Sequence, residues 1–204
     1  ALELAIGTGR VALPLRARGV DVTGIELSED MVRELRAKPG GADVEVVVGD
    51  MATATAPGRF RLVFLVFSTI GNLTTQAEQV ACFRNAARHL EPGGHFVVEV
   101  GVPPLQRLPL GERFVAFAAS PDHLGVDEVD VVSQRLVSHH VRETDGEVRR
   151  FSATFRYVWP SELDLMGDLA GLELVERAGG WRGEPFTATS ASHISVWRRP
   201  PAAP

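Results

Sequence analysis

Four clusters of residues in this chain carry types and spacings suited to holding a small ligand. The first is Glu3-Leu4-Ala5-Ile6-Gly7-Thr8-Gly9-Arg10, an apolar run that reaches a helical segment through two closely set glycines. Glycines at such a junction let the backbone pass close under a ligand, and the helix start beside them offers unpaired N–H groups. The second is Glu26, which closes the next apolar run about twenty residues further on, where a carboxylate can accept both hydroxyls of a ribose. The third is Gly49-Asp50-Met51. An acid there can accept from an adenine amino group while Met51 packs on the ring, although Asp50 could equally cap a turn. The fourth, Phe67-Ser68-Thr69-Ile70-Gly71-Asn72, follows a further apolar run. Each cluster has a plain packing alternative, so the weight lies in their shared placement at the ends of four successive strands.

The elements that must position these clusters alternate in type. Strands are predicted over 2–6, 21–25, 44–48, 62–67 and 96–100, separated by glycine and proline turn signals. Helices are predicted over 10–18, with Pro14 distorting its start, from the Ser28 cap to about residue 38, and over 76–90 behind a Thr74 or Thr75 cap. Such a series implies a doubly wound, mostly parallel sheet with helices on both faces. The β-branched runs Val46-Val47-Val48 and Val97-Val98 suit strands buried on both sides. The pattern then changes. Residues 114–118, 129–141 and 148–157 alternate apolar and polar side chains, and Asp145-Gly146 is a hairpin signal. A helix capped by Ser161 runs to about residue 169, and 172–178 and 193–198 read as an antiparallel closing pair. The expected fold is therefore α/β: a Rossmann-like, mostly parallel seven-stranded sheet with an antiparallel β insert as a cap. It is read as one domain, with a ligand-binding core at 1–102, the cap at 103–160 and closing elements at 161–204. The first residues already look like a buried strand, which leads us to expect a preceding segment, and 198–204 reads as a frayed tail.

The run from Ala1 to about Val100 resembles the cofactor-binding half of class I S-adenosylmethionine (SAM)-dependent methyltransferases. The resemblance rests on Leu-Glu-Leu-Ala-Ile-Gly-Thr-Gly-Arg, Gly-Ile-Glu-Leu-Ser-Glu-Asp-Met, Gly-Asp-Met and, most specifically, His89-Leu-Glu-Pro-Gly-Gly-His-Phe-Val-Val-Glu99. Within that family the chain is most similar to the bacterial small-molecule branch, which includes amino-sugar N,N-dimethyltransferases. The resemblance implies that Glu3 and Ala5, Ile6, Gly7, Thr8 and Gly9, with Arg10, cradle the methionine part of SAM. Glu26 would hold the ribose, with Leu27 and Met31 beside the adenosine. Asp50 and Met51 would bind adenine, and Phe67 and Ser68 would lie beneath the sulfonium. Ala5 departs from the family, which usually has glycine there.

Methyl transfer from a sulfonium asks the protein mainly to align two reactants, and only a hydroxyl acceptor needs a general base. His139 and His140, adjacent on a cap strand and therefore on opposite faces, are the candidate bases, with His123 in a loop. Asn72, Tyr157, Trp159 and Trp181 are candidate acceptor contacts. Cys82 reads as inert packing, and no His/Cys spacing suggests a metal. The net charge of −5, with basic residues scattered, argues against a nucleic-acid partner. No apolar run approaches the roughly 20 residues of a membrane span, and with one cysteine the setting is read as cytoplasmic. The partner expected is a small-molecule methyl acceptor. The oligomeric state is left open, a homodimer being one option. Two rivals stand beside this reading. Gly7, Gly9 and Ala12 with Glu26 loosely satisfy the fingerprint of a NAD(P)-dependent oxidoreductase, and a SAM-fold protein can also serve as a non-catalytic binding subunit.

Overall fold

A computed structural model describes residues 1–201. Its main sheet has seven strands in the order β10-β11-β5-β4-β1-β2-β3. These are β1 (Leu2–Leu4), β2 (Thr23–Glu26), β3 (Glu45–Val48), β4 (Phe60–Leu65), β5 (Leu90–Gly101), β10 (Glu173–Ala178) and β11 (Ser192–Arg198). The first five run parallel, and β11 enters antiparallel between β5 and the edge strand β10. Two apolar layers sandwich the sheet. On one face α3 (Gln76–His89) and α4 (Pro160–Leu169) cover Leu2, Leu4, Val63, Leu65 and Val98, with Phe83 set edge-on against Phe96 and Trp197 at 5.1 Å each. On the other, α1 (Ala12–Arg16) and α2 (Glu29–Arg36) bury a smaller cluster of Ile6, Ala12, Val22, Leu35 and Val44.

Local chemistry accounts for the helix starts. Ser28 Oγ accepts from the Met31 N–H, and Thr75 forms a reciprocal capping box with Glu78. The helix expected over 10–18 shrinks to α1, and Pro14 lies in its first turn, where a missing N–H removes no helical bond. The helix α4 is not capped by Ser161: Trp159 is its N-cap, without a side-chain bond, and Pro160 opens it.

The insert is a second sheet in the order β6-β7-β8-β9, all antiparallel: β6 (Phe114–Ser120), β7 (His123–Asp130), β8 (Arg135–Thr144) and β9 (Glu147–Arg156). The single strand expected at 129–141 is two strands. Asp130 turns the chain by accepting from the Val132 N–H and the Ser133 hydroxyl, and Gln134 takes a left-handed φ of 56°. His123 accordingly begins β7 instead of lying in a loop. Asp145 and Gly146, both at positive φ, close the β8–β9 hairpin. Of the tail expected at 198–204, Arg198 belongs to β11 and residues 202–204 lie outside the described residues. Among the described residues no helix is long and apolar enough to cross a membrane.

Candidate active site

The carboxyl ends of β1, β2, β3 and β4 meet at one depression, and its geometry is set by backbone. Ala5, Gly7 and Gly9 all have positive φ, which rolls the turn after β1 back over the sheet. A side chain on Gly9 would meet Leu13 and Leu35 at 3.0–3.1 Å, so its glycine serves turn and packing together. Glu26, 7% exposed, fastens the turn: Oε2 accepts from the Gly7 N–H at 2.8 Å and Oε1 from the Ser28 N–H at 2.9 Å. Each oxygen retains a lone pair for a ligand hydroxyl. Lys38, which no local motif singles out, donates to the Thr8 carbonyl at 2.7 Å from beyond the far end of α2. Ile6 points away into the smaller core, so it offers the depression only backbone. Leu27 and Met31 are exposed on the rim, and Met31 Sδ lies 3.6 Å from where a Gly7 side chain would begin.

Glu3 sits on the face of β1 under the start of α1. It is 3% exposed, its Oε2 has no partner, and burial pushes its carboxyl up to about 8, opposed by the Ala12 backbone N–H and Arg10. Asp50 does cap a turn, accepting from the Ala52 N–H at 2.7 Å, while it lines the same depression as Glu26. Met51 is buried there, its carbonyl held by Asn85 at 2.9 Å.

After β4 the chain takes two consecutive left-handed residues, Phe67 and Ser68. Glu99 of β5 accounts for this bend: its Oε2 accepts from the Phe67 N–H at 3.0 Å, and Ser68 Oγ accepts from Gly101 N–H at 3.0 Å. Arg10 stacks its guanidinium 4.1 Å over the Phe67 ring. Asn72 lines both this depression and a cleft of about 360 Å³ between the β4 loop, the exit of β5 and the cap.

The cap presents Leu136, Ser138, Phe155 and Tyr157 to that cleft. Cross-strand pairing puts Leu136, Ser138 and His140 on the cleft side of β8 and His139 on the opposite side. His139 contacts Ser152 Oγ and Glu128, away from the cleft. His140 lies on the right face but is taken up by a row of rings, stacked between His123 (5.3 Å) and Phe151 (4.6 Å). Burial and the neighbouring His123 lower its pKa, and with His123 Nε2 and His140 Nδ1 3.0 Å apart one proton must bridge them. Neither candidate base therefore borders the cleft. Trp159 packs edge-on against Tyr157 outside the lining, and Trp181 donates to Glu99 Oε1 at 3.1 Å above a separate apolar groove beside α1. The joint between cap and core is Arg156, 5% exposed, which binds Glu162 of α4 at 2.6 Å, Gln134 at 2.9 Å and Gln79 of α3. Gln79 in turn donates to the Ile70 and Leu73 carbonyls of the β4 loop. No local motif announces these residues.

Residues 1–94 match the family model described as a methyltransferase domain. Over 201 residues the chain is 29% identical to the cypemycin N-terminal methyltransferase of a Streptomyces species, covering 97% of this chain and 82% of the relative. Over 161 residues it is 34% identical to the dTDP-3-amino-3,4,6-trideoxy-α-D-glucopyranose N,N-dimethyltransferase of Streptomyces venezuelae, covering 79% and 62%. The solved structure of the CcbJ methyltransferase from Streptomyces caelestis superposes with a TM-score of 0.87 at 41% identity, covering 98% of this chain and 82% of that one. These likenesses run against the nicotinamide reading of Gly7, Gly9 and Ala12, and each of these relatives is described as an enzyme.

Proposed function

The chain belongs to the SAM-dependent methyltransferase family, and on that premise we propose that it methylates an amino nitrogen of a small molecule, an amino sugar, held in the cleft under the cap. The observation that carries this reading is the Glu26 carboxylate, buried, tied by both oxygens to the backbone of the glycine turn and of the α2 start, in a depression that meets the cleft at Asn72. The residues present suit the cofactor. Glu26 would hold the ribose hydroxyls, Asp50 and Met51 the adenine, and the positive-φ turn from Ala5 to Gly9 the methionine part. Glu3 lies beneath the turn with its Oε2 unpartnered and its carboxyl pushed up to about 8 by burial, and an ammonium group placed over the turn would draw that proton off. Arg10 and Phe67 would close the methionine end, and Ser68 would keep its hydroxyl proton for the reacting side.

When bound, SAM supplies an activated methyl group on a sulfonium. The chain's own work is then alignment: the β4 loop and the cap face each other across the cleft, so an amine lying on one is presented to the other. A neutral amine needs no dedicated base, which agrees with both cap histidines lying off the cleft. The whole chain would act as one unit, 1–102 serving the cofactor, 103–160 the acceptor and 161–204 closing the sheet, in the cytoplasm and without a nucleic-acid partner. Titration with S-adenosylhomocysteine tests the assignment. Glu26→Gln is expected to weaken binding by roughly ten- to a hundredfold, the worth of charge-assisted hydrogen bonds; unchanged affinity would end the reading.

A further inference from the structure

One polar pair stands out on the cap wall of the cleft. Ser138 lines the cleft between Leu136 and the row of rings at His140. Directly across the β7–β8 ladder is Asp127, and the Ser138 hydroxyl donates to its Oδ1 at 2.6 Å. An ionised carboxylate only accepts, so the single hydroxyl proton is committed to Asp127 and Ser138 can offer a ligand only lone pairs. Ser138 is 8% exposed, so water competes poorly for that position. The acid behind it is uncompensated: Asp127 enters no salt bridge among the described residues, whereas its neighbour Glu128 is held by Arg113 and His139. A proton-poor hydroxyl selects a hydrogen-bond donor, and the negative charge behind it favours a donor whose nitrogen gains positive charge as it is methylated. A neutral amine satisfies both conditions, and an alcohol only the first.

We propose that Ser138, polarised by Asp127, is the point at which the acceptor's amine is recognised. Ser138 Oγ accepts an N–H of the acceptor and fixes the nitrogen's direction in the cleft, while Asp127 acts through Ser138 as a positioning residue. The inference deepens the amino-acceptor reading and rests on it.

The test titrates protein saturated with S-adenosylhomocysteine against dTDP-3-amino-3,4,6-trideoxy-α-D-glucopyranose and against its 3-hydroxy counterpart. The wild type is expected to prefer the amino sugar by about tenfold or more, and Ser138→Ala and Asp127→Asn to bring that ratio towards one with S-adenosylhomocysteine affinity essentially unmoved. Ser138→Thr, which keeps the hydroxyl, is expected to restore the preference. Variants that fold and keep the wild-type ratio overturn the proposal, as does a wild type that binds both sugars equally. A wild type that binds S-adenosylhomocysteine and neither sugar overturns the amino-sugar reading, and this inference with it. Failure to bind S-adenosylhomocysteine at all would fault the cofactor assignment instead.

Discussion

The sheet side of the site and the cap side are built by different means. On the sheet side, from the depression to the cleft, the geometry is backbone: left-handed residues at Ala5, Gly7, Gly9, Phe67 and Ser68, held by two carboxylates, Glu26 and Glu99, that accept main-chain N–H groups. On the cap side it is side chains that matter, namely the Ser138–Asp127 pair, Leu136, Phe155 and Tyr157, and Arg156 with its amide partners. A backbone site tolerates change in many side chains and suits a ligand that never varies. A side-chain site can be rewritten one residue at a time, which suits an acceptor that differs between relatives.

The largest expected loss tests whether the cap is a separable wall. Arg156→Ala leaves the half-buried Glu162 without its cation and removes the bonds to Gln134 and Gln79, and is expected to cost about 2–3 kcal/mol in urea unfolding. Acceptor binding should fall much further than cofactor binding; an equal loss of both would show that the walls are not distinct.

The sheet wall has its own signature in pH. Glu3 has a folded pKa near 8 against an ordinary 4.5, so between those values the folded chain holds more protons than the unfolded one and stability falls as pH rises. Glu3→Gln should remove that slope, with a gain relative to wild type that grows to about 3 kcal/mol by pH 7. His193 works in the opposite direction. Burial, with Arg177 nearby, lowers its pKa from 6.5 to about 4, so the unfolded chain binds more protons there and stability rises with pH across that window. The two slopes offset each other between pH 4.5 and 6.5 in the wild type, and the rising limb should emerge in the Glu3→Gln background by denaturation at stepped pH. A flat profile in that background would contradict the buried, neutral state of His193. The smallest effect is Lys38→Met: with Thr8's carbonyl released, we expect about 1 kcal/mol of lost stability and a few-fold weaker cofactor binding, with acceptor preference unaltered.

The same contrast governs what could be read from the sequence. The glycine turn, Glu26, the Ser28 cap and the Asp145-Gly146 hairpin are local signals, decided within a few residues, and they appear in the fold where the sequence places them. Asp130 misled because Val131 and Val132 carry a strand's side chains while the carboxylate before them makes the turn. His139 and His140 were legible as a pair facing two ways, but which face meets the core depends on the register of β8 with β7 and β9. Gln79, Arg156 and Glu162 were invisible because their roles exist only once three distant segments have met. Glu99 stood inside the most specific quoted motif, yet its partners Phe67 and Trp181 lie 32 and 82 residues away.

The Arg156 joint has a consequence for which molecules can enter. Through Gln79 it reaches the loop that forms the floor, and through Gln134 it reaches the hairpin that forms the roof. Floor and roof thus share one desolvated cation, and prising them apart would strand it. The height of the aperture is therefore set by this one joint, and bulk added to an acceptor across the gap should be refused.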